Sequence, residues 1–248
     1  MSRPRARAAT PEHPRRGPRA LLQDEIIRVA ALCFSEMGYR ATTLDTIAAR
    51  VGVSKVTLYK HVPSKEELLC RMFERTIQSF RAGLRQIVEQ PLPADEKLQR
   101  IIRYQVTLLA AQLPLIRVFF SEEGSLPAAM ARRVAREKRE YDRAIEAVLR
   151  EGIAEGRFRK LPPTLLVFGL LGMCNWLHKW YQPEGPLAPE EIAMVFVDLL
   201  GRGYLEHAPE PESVAIAKRL DAIDRRLATL ERRLAPGAGT AARHGRRV

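Results

Sequence analysis

The chain has 248 residues, enough to bury a full core without the disulfide or metal staples that small domains need. Its formal net charge is +12 at pH 7, which points towards a polyanionic partner and says nothing about fold. Cys33, Cys70 and Cys174 lie far apart in apolar helical patterns, which suggests neither a disulfide framework nor a paired-cysteine zinc site, so a reducing cytoplasm is expected.

The charge is unevenly placed. Residues 1–20 carry a net +5, residues 39–65 a net +4 and residues 235–248 a net +3, so the rest of the chain sums to zero. Arg and Pro run to Arg19, and Asp24 and Glu25 follow after only two leucines, so no export signal is expected. Leu165–Leu177 is the most apolar stretch, and at thirteen residues it falls well short of the ~20 needed to cross a bilayer. No membrane partner is expected.

Helix formers dominate after Leu21, with apolar residues recurring at spacings of three and four, so the expected fold is all-α. Residues 1–18 lack periodicity and read as a disordered basic arm. Leu22, Ile26, Ile27, Ala30, Ala31 and Phe34 line one face of a first helix from Arg19 to Met37, stopped by Gly38. A second helix follows a threonine N-cap, buries Leu44, Ile47 and Ala48, and ends at Val51-Gly52-Val53. Ser54 caps a third, Lys55 to Lys60, in which Val56 and Tyr59 lie three apart. Pro63 breaks the chain, and Ser64-Lys65-Glu66-Glu67 is a capping box opening a long helix through Leu68, Met72, Phe73, Ile77, Phe80, Leu84 and Ile87.

Further helices are expected over 94–113, 115–121, 127–155, 162–181 and 189–207, each punctuated by Pro or Gly. Beyond them Ile216, Leu220, Ile223, Leu227, Leu230 and Leu234 repeat every seven residues, which reads either as a seam pairing with a second chain or as a helix packing on its own domain. The expected division is a basic arm (1–18), a three-helix helix-turn-helix domain (19–66), a larger helical domain (67–208), a heptad helix (210–234) and a disordered basic tail (235–248).

A helix-turn-helix needs a first helix across the DNA backbone, a tight turn and a second helix whose N-terminal residues enter the major groove. Residues 43–61 supply these parts in order: Leu44, Ile47, Val51 and Val56 are spaced to pack the two helices, and Gly52 permits the turn. Thr42, Thr43, Ser54, Lys55 and Thr57 are the candidate DNA-facing residues, with Tyr59, Lys60 and His61 placed to meet phosphates. Lys65 opens the next helix, whose free N–H groups also favour a phosphate.

Ile47-Ala48, then Val51-Gly52-Val53-Ser54-Lys55 and Thr57-Leu58-Tyr59-Lys60-His61-Val62-Pro63-Ser64-Lys65-Glu66-Glu67-Leu68, resemble the N-terminal signature of the TetR family of bacterial repressors. Val62 stands where that family usually has phenylalanine, and Lys60 where it often has tyrosine. The resemblance implies a homodimer that binds a pseudo-palindromic double-stranded DNA operator. It also implies a larger domain that holds a small-molecule effector and dimerises through its last two core helices. Residues 162–181, apolar nearly all round and carrying Gly169 and Gly172, and residues 189–207, with Ile192, Val195, Phe196 and Leu199, fit that pair, and Trp180 and Tyr181 are the interface candidates.

A second resemblance bears on the effector. Arg117-Val118-Phe119-Phe120-Ser121-Glu122-Glu123 with Leu126-Pro127, Arg139-Glu140-Tyr141, Gly152 to Gly156-Arg157-Phe158, Asn175-Trp176, Trp180-Tyr181, Pro183 and Gly185-Pro186-Leu187 are similar to acyl-CoA-responsive TetR-type regulators of fatty-acid and sterol degradation. Such a ligand needs an apolar tunnel and a few cations. Tyr104, Phe119, Phe168, Met173 and Trp176 are the tunnel candidates, and Arg117, with Arg103, Arg136 or Arg139, the phosphate candidates. The same aromatics also suit a core or a dimer interface.

No enzyme is expected and no cofactor. Cys174 and His178 share a helix face but lack a second pair with metal-ligand spacing, Glu122 and Glu123 point apart on a helix, and no phosphate-cradling loop or nucleophile elbow is present. Two other readings stay open: a multidrug or aromatic-compound sensor, and an architectural nucleic-acid binder driven by its basic tails.

Overall fold

The computed structural model describes residues 17–204. The expected heptad helix and tail, and the arm up to residue 16, lie outside the described residues. The fold is all-helical as expected: α1 (Pro18–Met37), α2 (Leu44–Val51), α3 (Lys55–His61), α4 (Lys65–Val88), α5 (Ala94–Ala111), α6 (Leu113–Ser121), α7 (Ala128–Ala154), α8 (Pro163–Asn175), α9 (Leu177–Trp180) and α10 (Pro189–Tyr204), with a 3-10 turn at Glu123–Ser125.

The termini of the first helices follow their local chemistry. Pro18 opens α1, where its missing N–H is not needed, and Gly38 closes it at φ +84°, a conformation that costs glycine nothing. Thr43, Ser54 and Ser64 each accept the N–H three residues on, starting α2, α3 and α4. Gly52 ends α2 in the left-handed region at φ +81°.

A continuous apolar core runs from Ile26 and Phe34 of α1 through Phe73 of α4 to Ile101 of α5 and Val148 of α7. α6 packs along α1, and α4 packs on α1, α5, α6 and α7, so the first helices and the later ones share walls. Arg75 of α4 also pairs with Asp24 of α1 at 2.6 Å.

Three expectations are corrected. Residues 162–181 form two helices, because the Asn175 carbonyl accepts from His178 Nδ1 at 2.6 Å and the Trp176 carbonyl from the Lys179 N–H, a tighter turn that ends the α-helical ladder. The expected seam of α10 is divided: Ile192 is buried and Phe196 half-buried, while Val195 and Leu199 face outward with Met194. Tyr181 is buried in the core rather than offered at an interface.

Gly83 of α4 sits under Tyr104 of α5, whose ring occupies the space a Cβ would take, while its hydroxyl donates to the Ser79 carbonyl. Helix propensity alone would favour alanine there by roughly 0.5–1 kcal/mol. The overlap with the ring reverses the sign, and Gly83→Ala is expected to lower stability by about 1–3 kcal/mol in urea titration. A stabilised variant would contradict this packing.

Candidate functional site

Two features of chemical interest share the scaffold, an exposed face on α2 and α3 and a cavity among α4 to α8. On the first, Leu58 and Val62, four apart, fill the core under α3 and turn the rest of the helix outward. Ser54, Lys55, Tyr59 and Lys60 are exposed, as is Thr43 at the start of α2, with Thr57 and His61 half-buried. Val56 is 67% exposed, so it does not pack α2 against α3 as its spacing suggested. It stands beside Lys55 on the outer face, where a branched methyl pair suits a thymine methyl.

Lys55 Nζ donates to Asp45 Oδ2 at 2.7 Å, and that hydrogen bond, with the carboxylate charge behind it, raises the lysine above its ordinary value. Arg50 is bound to Glu36 at 2.6 Å.

Two side chains of α4 hold this unit. Lys65 Nζ donates to the carbonyls of Tyr39, Arg40 and Thr42 at 2.8, 3.2 and 2.9 Å and lies 4.6 Å from the centroid of the Tyr39 ring. Arg71 donates to the His61 carbonyl at 2.7 Å, capping the C-terminal end of α3. Lys65 is therefore a clamp on the turn between α1 and α2, not a side chain offered to a phosphate. Thr42 is likewise withdrawn: it is buried, and its hydroxyl lies between the Gly38 and Cys33 carbonyls at 2.8 and 3.2 Å, satisfying the end of α1.

The cavity measures about 360 Å³. Ile77, Phe80, Phe119, Phe120, Phe168 and Leu171 make its apolar wall. A polar line crosses it: Tyr141 of α7 donates from its hydroxyl to Gln105 Oε1 of α5, and Gln105 Nε2 donates to Asn175 Oδ1 of α8, each at 2.7 Å. Burial raises the Tyr141 phenol above its ordinary range, so the hydroxyl remains a donor. Charges on the wall are internally matched: Arg81 reaches Glu137 at 2.8 Å, and Lys138 pairs with Glu123 while opposing the upward push of burial on Asp142.

Of the five expected tunnel residues, Phe119 and Phe168 line the cavity. Tyr104 covers Gly83, Met173 is half-buried off the cavity wall, and Trp176 is 60% exposed. Arg117 donates to the His178 and Tyr181 carbonyls at 3.2 and 3.3 Å, closing the end of α9 instead of meeting a ligand phosphate. Arg103, Arg136 and Arg139 are exposed and are not among the lining residues. Cys174 is buried, its thiol pushed up to about 12 by that burial, which removes it as a thiolate ligand. Among the described residues no group of three His, Cys, Asp or Glu is placed to hold a metal, and no helix is long and apolar enough to cross a membrane.

Residues 26–72 match the family described as bacterial regulatory proteins of the tetR family, and residues 91–204 match the tetracyclin repressor-like C-terminal domain. The chain belongs to the TetR family. TetR regulators bind operator DNA as dimers, and the exposed face of α2 and α3 is the helix-turn-helix of this one. The chain is 26% identical over 178 residues to the transcriptional repressor KstR2 of Mycobacterium tuberculosis, covering 71% of this chain and 89% of that one. The TetR-family regulator PfmR of Thermus thermophilus superposes with a TM-score of 0.68 at 29% identity, covering 71% and 97%. AibR in complex with isovaleryl coenzyme A and operator DNA superposes with a TM-score of 0.65 at 26% identity, covering 72% and 97%.

The Lys55–Asp45 pair holds a reading-helix cation on its own domain, so the two partners should have opposite effects on this TetR protein. Lys55→Ala is expected to weaken operator binding and lower the slope of log affinity against log salt by about 1. Asp45→Asn, which frees the lysine, is expected to tighten binding by a few-fold, the scale of one exposed ion pair of about 0.2–1 kcal/mol. Fluorescence anisotropy across a salt series measures both, and weakening by Asp45→Asn would contradict the assignment.

Proposed function

We propose that this chain is a repressor that binds a pseudo-palindromic operator as a homodimer and releases it when an apolar effector, an acyl-CoA or fatty acid, fills the cavity. The observation that carries the proposal is shared structure: α4 lines the cavity with Ile77, Phe80 and Arg81 and holds the reading unit with Lys65 and Arg71. A ligand that moves α4 moves the reading helix with it. Thr43, Ser54, Lys55, Thr57, Tyr59, Lys60 and His61 are the residues proposed to meet DNA, with Val56 added by the geometry.

The relatives support the effector class. KstR2 is a repressor and its solved structure is that of a ketosteroid transcriptional regulator, while AibR was solved with an acyl-CoA thioester and operator DNA. At about 30 Å³ per water-sized unit, the cavity holds on the order of a dozen non-hydrogen atoms, which suits an acyl group and leaves a CoA nucleotide outside. Four phenylalanines on the wall favour, as the second reading, an aromatic compound.

The homodimer is supported by the apolar face left on α8 and α10. Leu165, Phe168, Trp176, Val195 and Leu199 are exposed together with Gly169 and Gly172, where a Cβ would meet nothing within 4 Å. Such a face marks a partner, and two helix pairs would close it as a four-helix bundle.

A thermal-shift panel of acyl-CoAs, free acids and planar aromatics tests the effector. A bound thioester at 100 times its Kd contributes about 2.7 kcal/mol, or roughly 5–10 °C for a chain of this size. Leu171→Trp, which fills the cavity, should abolish the shift; no thioester shift, or one that survives this substitution, rejects the reading. Val195→Glu with Leu199→Glu should give monomers by light scattering and lose operator affinity.

A further inference from the structure

The polar line across the cavity has a direction. Tyr141 has one hydroxyl proton and gives it to Gln105 Oε1; Gln105, 2% exposed, then turns Nε2 to Asn175 Oδ1. Asn175 thereby spends its acceptor, and its Nδ2 group, with two N–H bonds, has no hydrogen-bond partner among the described residues while Asn175 lines the cavity. Each member comes from a different helix, α7, α5 and α8, so packing fixes the orientation before a ligand arrives.

The charged residues of the wall give the second half of the argument. Arg81 and Lys138 are balanced by Glu137 and Asp142, and each cation is already hydrogen-bonded to a carboxylate of the chain. A ligand carboxylate would enter a wall with no spare positive charge and with Asp142 beside it. A neutral acceptor on an apolar chain meets no such penalty.

We infer that Asn175 is the specificity-determining residue of the cavity, donating from Nδ2 to the carbonyl oxygen of an uncharged ligand, and that Gln105 and Tyr141 are the positioning residues that aim it. The cavity selects an apolar chain with a neutral carbonyl, such as an acyl thioester or a ketone, over the matching free acid. This rests on the reading of the cavity as the effector site.

Three probes of matched size separate the possibilities by calorimetry at pH 8: 2-decanone, decanoate and 1-methoxynonane. Wild-type protein should bind the ketone at least tenfold more tightly than the acid. Asn175→Asp keeps the acceptor for Gln105 but replaces the donor, and should weaken the ketone at least tenfold while changing the ether, a poorer acceptor, less than twofold. Tyr141→Phe, which removes the hydroxyl that fixes Gln105 and keeps the ring on the cavity wall, should weaken the ketone at least threefold and leave the ether unchanged. The ketone-to-ether ratio is a readout that a general loss of packing would not move, and circular dichroism reports whether each variant folds. If all three probes bind but decanoate matches the ketone, or Asn175→Asp weakens ketone and ether alike, the inference is overturned and the effector-site reading stands. If none binds, both are overturned.

Discussion

The ammonium of Lys65 holds three backbone carbonyls of the turn between α1 and α2, and everything the reading helix can do depends on where that turn is fixed. Hydrogen bonds to a charged donor contribute about 1.5–3 kcal/mol each at most, and these three converge on a single atom at the first residue of α4. Thr42, turned inward on the end of α1, and Arg71, on the end of α3, tighten the same joint from either side. The consequence is a small domain with few degrees of freedom relative to the helix that follows it.

That helix is 24 residues long, about 36 Å at 1.5 Å per residue, and its middle forms part of the cavity wall. α6 offers a second route, since Phe119 and Phe120 line the cavity while the helix packs along α1. Cavity and reading unit therefore share rigid walls with no linker between them. Under such a constraint an effector need only prefer one arrangement of α4 and α6 to bias operator binding, and the size of that preference sets the size of the response.

Much of this was legible in the residues. The caps at Thr43, Ser54 and Ser64 and the glycine stops at Gly38 and Gly52 are local chemistry visible in the sequence, although only the serine half of the expected capping box forms, since Glu67 takes Arg71 as its partner. What local chemistry could not decide was the inward face of a seven-residue helix. Val56 with Tyr59 and Leu58 with Val62 are both helical spacings, and only the second stripe is buried in the core. Residue type alone suits Lys65 and Thr42 to DNA, yet their partners lie up to 26 residues away or across a turn, a separation no spacing rule reports. Gln105 carries no pattern in the sequence, and Tyr141, 36 residues on, entered only within the Arg139-Glu140-Tyr141 resemblance; their link became visible once three helices brought them to one wall. Of the aromatics read as tunnel candidates, Phe119 and Phe168 lie on the cavity wall while Tyr104 and Trp176 lie off it, because an aromatic side chain suits a core or an outer face as well as a tunnel.

The central claim, that cavity and reading unit are one coupled device, is tested most directly by reciprocity. With an operator duplex selected in vitro on this chain, the affinity of decanoyl-CoA is measured for free and operator-bound protein, and the affinity of the duplex with and without saturating decanoyl-CoA. Coupled sites require the two ratios to be the same, and allosteric pairs of this kind commonly give about 5- to 150-fold. The account predicts equal ratios in that range, with the thioester weakening the operator complex; a thioester that binds free and operator-bound protein equally would contradict it.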